Sequence, residues 1–145
     1  MRYMTVLFSL GFSLLADFSL AADKSDSQLS IQNSWARPTR GLSRVTAVYM
    51  EIKNQSDKVL VLDKVTSPLG HAMIHQSVTE KGLVRMKHLE GLSIPAKSQV
   101  LLEPGSYHIM ITGLQKALQA GESVDLSLSF KKAGIRKVKV TVIDK

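Results

Sequence analysis

SVDLSLSFKKAGIRKVKVTV, residues 123–142, alternates apolar and polar side chains in two runs that are separated by the segment KKAG. The apolar members of the two runs are Val124, Leu126, Leu128, Phe130, Val138, Val140 and Val142. Because side chains two residues apart lie on the same face of a β-strand, each run is typical of a strand with one buried face. The stretch therefore predicts two half-buried strands with a chain breaker, Gly134, between them.

The same period of two occurs in residues 48–53, VYMEIK, and segments rich in Pro, Gly and Asn separate the apolar runs along the chain. About eight short strands at this spacing predict an all-β domain, an antiparallel sandwich or barrel. Only residues 114–120 have a locally helical pattern. Trp35, the single tryptophan, is expected in the core near the first strand.

Composition limits the classes of protein to consider. The chain has 145 residues, of which 44% are hydrophobic and 21% are charged, so we expect one globular domain. Its formal net charge is +7, which is compatible with anionic partners. It has no cysteine, which excludes disulfides, thiolate zinc sites, iron–sulfur clusters and blue-copper centres. Any bound metal must use His, Met or oxygen ligands.

The N-terminus has the pattern of a secretory signal peptide. Arg2 precedes a mostly apolar run, and the sequence Ser-Leu-Ala ends at Ala21. The apolar run is too short for a transmembrane helix, which needs about 20 residues. We therefore predict a signal peptide at residues 1–21, a flexible leader at residues 22–28 and a β-sandwich domain at residues 29–145. The expected location is the periplasm.

Potential metal ligands are concentrated in residues 71–110. This segment contains all four histidines and three of the four methionines that follow residue 21: His71, His75, His88, His108, Met73, Met86 and Met110. Histidine has no packing reason to gather in this way. The fourth methionine, Met50, lies on an alternating apolar face and is expected in the core.

In a strand, His108 and Met110 would present an imidazole and a thioether side by side, because they are two residues apart. The segment 71–75 and the pair Met86 and His88 repeat this relation. Thioether sulfur is soft and uncharged, which suits Cu(I) rather than Zn²⁺, Ca²⁺ or Mg²⁺. The residue types therefore predict a copper site whose neutral ligands favour reversible binding.

The spacing of these residues resembles a known motif. Ten residues separate His75 from Met86, twenty-one separate Met86 from His108, and Met110 follows one residue later. This spacing is similar to the H(M)-x10-M-x21-H-x-M pattern of the PCu(A)C family of periplasmic copper chaperones. The segment PGSYHIM at residues 104–110 resembles the family's PGGYHLM turn and strand. NSWAR at residues 33–37 and AVYM at residues 47–50 extend the similarity, which runs from about Leu29 to Val142.

The resemblance implies a cupredoxin-like β-sandwich that binds Cu(I) through His75, Met86, His108 and Met110. It also implies delivery of copper to the Cu(A) subunit of cytochrome c oxidase, alongside a Sco-type thiol protein. Ser106 replaces the second glycine of the family's turn, which would shift the His108 strand slightly. The additional His71, Met73 and His88 are interpreted as surface residues, with a weaker Cu(II) site as the alternative.

Several alternatives are set against this interpretation. A histidine-brace oxidase needs His as its first mature residue, whereas the predicted cleavage leaves Ala22. The residue types of a hydrolase triad are present as Ser106, His108 and Asp125. No nucleophile-elbow pattern surrounds Ser106, so the sequence does not support a hydrolase. We therefore predict that the protein is not an enzyme. A periplasmic copper tolerance or storage protein and a structural β-sandwich without metal are the remaining alternatives.

Partner expectations follow from charge and compartment. Export and the lack of a recognisable nucleic-acid-binding motif argue against nucleic acid, despite the net charge of +7. We expect a monomer without stable membrane insertion. The basic residues between Lys131 and Lys139 are interpreted as a solvated strand face that is able to meet anionic lipid or an acidic protein.

Overall fold

A computed structural model describes residues 28–145 of the chain. The predicted signal peptide and the leader up to residue 27 lie outside the described residues. Ten strands make up the regular structure of the described part. They are β1 (Leu29–Ala36), β2 (Val45–Asn54), β3 (Leu60–Thr66), β4 (His71–Glu80), β5 (Leu83–Leu89), β6 (Leu92–Ile94), β7 (Ser98–Leu102), β8 (Tyr107–Thr112), β9 (Ser123–Phe130) and β10 (Gly134–Val142). Within residues 28–145 no helix has the length and apolarity that a membrane span requires.

The strands form one sheet in the order β5-β4-β8-β7-β2-β1-β10-β9-β3-β6, with a further pairing between β8 and β2. Pairing is antiparallel except between β1 and β10 and between β7 and β8. The sheet curls, because β3 near one end leads directly into β4 near the other through a turn closed by a bridge between Ser67 and Gly70. The predicted all-β class, an antiparallel sandwich or barrel, is confirmed as a barrel-like sheet.

The core lies on the inner face of this curled sheet. Strand β9 behaves as its pattern predicts, since all four of its apolar side chains are buried. From the strands that matter for function, Ile74 of β4 and Ile109 and Ile111 of β8 are buried in the core. Side chains alternate along a strand, so the residues flanking these isoleucines point to the opposite face. Met50 is buried, as expected.

The backbone just before β4 lies very close to the end of β8. A Cβ atom added at Gly70 would collide with the carbonyl oxygen of Thr112. Only glycine lets the two backbones come this close. Gly70 therefore helps to set the position of β4 against β8.

The helix expected at residues 114–120 is absent, and that expectation is wrong. Leu114 and Leu118 are buried, four residues apart as on a helix, but they anchor an irregular loop. Backbone N–H of Thr39 donates to the Leu118 carbonyl at 2.9 Å, and the Leu118 N–H donates to the Thr39 hydroxyl at 2.9 Å. Because these bonds to another loop satisfy the backbone, no helical turn is needed.

Two further expectations need correction. Trp35 is only half-buried, and its ring lies 4.6 Å from that of Tyr49, with the Lys145 ammonium 4.7 Å from its centroid. It therefore covers the sheet rather than filling the core. The part of the chain that the structure describes has ten strands instead of about eight, and one of them, Leu92–Ile94, spans only three residues. A strand of that length is too short to show an alternating pattern.

Candidate metal centre

The candidate ligands lie on three adjacent strands, in the order β5, β4 and β8. Residues directly opposite each other on paired strands share a face, as do residues two apart on one strand. The candidates therefore occupy the face opposite the one that Ile74 and Ile109 present to the core. They are His71, Met73 and His75 on β4, Met86 and His88 on β5, and His108 and Met110 on β8.

The register aligns three imidazoles across the strands. His75 pairs with His88 on one side and with His108 on the other. Its ring centroid lies 5.7 Å from that of His88 and 5.8 Å from that of His108, with an interplanar angle of 85° in both cases. We call His88, His75 and His108 the imidazole row. Its outer members, His88 and His108, lie on strands that are two spacings apart, about 10 Å between backbones.

His108 is the best-defined member of the row. Its side chain is only 3% exposed, and its Nδ1 lies 3.2 Å from the carbonyl oxygen of Ser106. Because a carbonyl only accepts, Nδ1 carries the proton, and Nε2 presents a lone pair. Nε2 is buried and has no hydrogen-bond partner among residues 28–145. An unsatisfied buried acceptor is costly, and it is the atom with which a neutral imidazole binds a metal.

His75 also has the properties of a metal-binding histidine. Its Nδ1 is buried without a hydrogen-bond partner. Burial lowers the pKa of His75, and the charges that His108 and His88 can carry lower it further. The ring is therefore neutral at pH 7, which is the form that binds metal.

The thioethers flank the imidazole row on both sides. Met110 pairs with Met73 across β8 and β4. On the same face of the sheet, this pair is the next one along the strands from the pair of His75 and His108. Met86 pairs with Ser77 on the other side of the row and is 58% exposed. Diagonal neighbours of this kind lie within reach of long side chains. All four predicted ligands thus lie on one face of the sheet, with His108 opposite His75 and with Met86 and Met110 on opposite diagonals of His75.

His71 lies apart from this patch. It pairs with Thr112 at the end of β4 and is four residues, or about 13 Å of strand, from His75. Its surface interpretation agrees with its exposed position.

Sequence reasoning missed the position of His88. It is exposed, as expected of a surface residue, but it lies directly beside His75. Met73 likewise lies beside Met110. The spacing of Met86 and His88 shows that they share a face. The register between β4 and β5, which places His88 next to His75, cannot be obtained from that spacing.

The turn before β8 explains how Ser106 is accommodated. Gly105 has a φ of 83°, a conformation that favours glycine, whereas Ser106 is not among the residues with positive φ. The Ser106 carbonyl also accepts the Ser77 N–H at 3.0 Å, besides facing His108. A side chain at position 106 is therefore compatible with the turn, and the backbone of Ser106 ties β4 to the orientation of His108.

Fold and site together define an all-β domain with an imidazole and thioether patch on one face of its sheet. The family model described as "Putative lipoprotein LpqE-like" matches residues 29–142, and the chain belongs to this family. Solved domains named PCuAC share its fold and, together with the family model, support the predicted membership of the PCu(A)C family. Among sequence relatives, the putative lipoprotein Lxx21020 of Leifsonia xyli subsp. xyli is 30% identical, and the match covers 80% of this chain and 70% of that protein.

Two solved structures illustrate the likeness. "Apo PCuAC domain from PmoF1" has 23% sequence identity and a TM-score of 0.69, and the match covers 81% of this chain and 95% of that domain. "Solution structure of CuI-DR1885 from Deinococcus radiodurans" has 28% identity and a TM-score of 0.62, with 84% of each chain covered. At its lower identity the first shows the shared fold alone.

Proposed function

We propose that the protein binds one Cu(I) through His75, Met86, His108 and Met110 and carries it as a periplasmic copper chaperone. Two imidazoles and two thioethers form a soft, neutral donor set, which suits Cu(I). The likeness to CuI-DR1885, a protein whose solution structure is named for its Cu(I) form, supports the same cargo here.

The observation that carries this proposal is the state of His108. Its Nδ1 proton is directed to the Ser106 carbonyl, and its Nε2 is buried without a partner. A purely structural histidine would be expected to use both nitrogens, because buried polar atoms are normally hydrogen-bonded. A metal ion supplies the missing partner of Nε2, and the adjacent Met110 side chain supplies a soft ligand.

A carrier must release its cargo, and the site suits this task better than catalysis. Neutral donors leave the charge of Cu(I) uncompensated, so binding is weaker than in a thiolate cage. Met86, with 58% of its surface exposed, leaves that side of the site open to approach by an acceptor. These properties support a transport role without an enzymatic reaction.

The proposed acceptor is the Cu(A) subunit of cytochrome c oxidase, with a Sco-type protein as a second partner. This destination is supported by the PCu(A)C resemblance. Export to the periplasm is supported by the signal-peptide pattern at residues 1–21 and by the lipoprotein names of the family and of a relative. Residues 29–145 form the copper-binding domain in this proposal, and it acts as a monomer.

Anaerobic titration with Cu(I), followed by mixing with an apo Cu(A) domain, tests the proposal. We expect one Cu(I) per chain, X-ray absorption with two sulfur and two nitrogen donors, and transfer to the Cu(A) domain. A shell of nitrogen and oxygen without sulfur would contradict the ligand set. Tight binding without transfer would favour copper tolerance or storage instead.

A further inference from the structure

The exposure of the imidazole row increases steadily from β8 to β5. His108 is buried, His75 is half-buried and His88 is exposed. Among the described residues, strand β5 is the edge of the sheet and pairs only with β4, and its residues from Leu83 to His88 are all exposed. An acceptor can therefore reach the His88 end of the row, whereas the buried Nε2 of His108 is closed to it.

We propose that His88 is the exit ligand of the copper site, and that His75, His88 and Met86 form an outer position through which Cu(I) passes to its acceptor. This inference rests on the proposed function. His75 neighbours both outer imidazoles at nearly equal distances, 5.7 and 5.8 Å between ring centroids. It can therefore remain bound while the ion moves from the His108 side to the His88 side.

The exchange requires no co-reactant. Cu(I) stays Cu(I), so no electron is transferred. The bond to His108 Nε2 and the bond to Met110 break as the bond to His88 forms, while His75 and Met86 remain attached. The ion then has three protein donors at the edge strand, and a donor from the acceptor completes its coordination. Met86 suits both positions because it shares a face of β5 with His88.

The geometry explains why a separate exit ligand is useful. Removal of Cu(I) directly from His108 would require an acceptor group to enter a site that is 3% exposed. Exchange along adjacent strands keeps His75 and Met86 bound throughout, so no state with a nearly bare ion is formed. We therefore expect His88 to govern the rate of transfer and to have little influence on the equilibrium affinity.

Two substitutions of similar volume separate the donor role of His88 from its bulk. His88→Leu removes the donor, whereas His88→Met restores a soft one. His71→Leu is the matched control, because His71 is exposed on the same face of the sheet but lies at the far end of β4. Each full-length variant is loaded with one equivalent of Cu(I) and mixed with excess bicinchoninate in a stopped-flow instrument. Equilibrium affinity is measured separately by competition with the same chelator.

His88→Leu is expected to slow transfer about tenfold, which corresponds to a transfer barrier that is about 1.4 kcal/mol higher. Its equilibrium affinity for Cu(I) should stay within about twofold of that of the parent protein. His88→Met should recover most of the rate, and His71→Leu should match the parent. Parent-like transfer by His88→Leu would overturn the inference, as would equal slowing by His88→Met. A loss of affinity in His88→Leu as large as that in His108→Ala would also overturn it, because His88 would then belong to the resting site. If the parent protein bound no Cu(I), the proposed function itself would fail.

Discussion

Strand β4 pairs with β8 on one side and with β5 on the other, and the candidate ligands on these two neighbours differ in burial. On the β8 side, His108 is buried, its Nδ1 bonds to the Ser106 carbonyl, and Gly70 allows close backbone approach at Thr112. On the β5 side, Met86 and His88 lie on an exposed edge strand. The same strand therefore joins a half of the site with a buried histidine to an exposed half.

The difference separates two requirements of a metal carrier. Orientation and burial make His108 on β8 suited to holding an ion, because its Nε2 has no competing partner among the described residues. Exposure makes the ligands on β5 suited to exchange, because an acceptor can approach them. The β8 side should consequently dominate affinity and stability, and the β5 side should dominate release.

The largest effect is expected from His108→Ala. This change removes the oriented donor of the β8 side. We expect Cu(I) affinity to fall by at least about 100-fold, since loss of a group that only hydrogen-bonds to a metal ligand already costs about 10–100-fold. Chelator competition under anaerobic conditions measures the affinity, and circular dichroism checks the fold. His71→Ala, the control, should bind like the parent. Similar losses in both variants would refute the special role of the β8 side.

Glycine substitutions test whether the β8 side is the more constrained one. Gly70→Ala is expected to destabilise the protein by about 1–3 kcal/mol, the usual cost of overpacking, because its Cβ would meet the Thr112 carbonyl. Gly82 lies in the turn between β4 and β5, where an added Cβ would meet no described atom within 4 Å. Gly82→Ala should therefore lower the free energy of unfolding by only about 1 kcal/mol, the cost of placing alanine at a φ of 76°. Thermal unfolding of the apo proteins measures both. A larger loss at Gly82 would reverse the comparison.

Methionine substitutions sharpen the ligand assignment on both sides. Met86→Leu and Met110→Leu preserve volume but remove the sulfur, so each should keep the fold and weaken Cu(I) binding about tenfold. Met50→Leu is the matched control, because Met50 is buried in the core and should affect neither property strongly. Competition titrations compare the three. Equal weakening by Met50→Leu and Met86→Leu would show that the ligands are wrongly assigned.

The smallest effect concerns pH. Copper retention should fall below about pH 6, because protons compete for imidazole and not for thioether. His75→Ala and His108→Ala should each flatten this dependence by removing one competing proton, whereas His88→Ala should leave it nearly unchanged. Chelator competition at several pH values measures the slopes. A large change in His88→Ala would place that residue in the resting site.

The apo protein should also respond to pH through His75. Its folded pKa is lowered by burial and by His108 and His88, so the unfolded chain binds this proton more readily. The resulting stability is present above the unfolded value of about 6.5 and is lost as pH falls below it. Denaturant unfolding of the parent and of His75→Ala should show a weaker acid dependence in the variant.

Much of the fold was predictable because its pattern is local. Alternation in residues 123–130 identifies a half-buried strand directly, and the structure agrees. Residues 114–120 show the limit of the same method. The spacing of Leu114 and Leu118 fits a helix, but hydrogen bonds from Thr39, more than seventy residues earlier in the chain, hold the segment as a loop. Contacts at such separation leave no local signal.

By itself the sequence determined the chemistry available: it has no thiol, and its imidazoles and thioethers are confined to residues 71–110. It also determined which pairs share a face, such as His108 and Met110, because a strand has a period of two. Only the tertiary structure decided that His88 lies beside His75, that His108 is buried and that its Nε2 has no partner. These properties depend on the register between strands and on what covers them, which are set by packing of the whole sheet rather than by spacing along the chain.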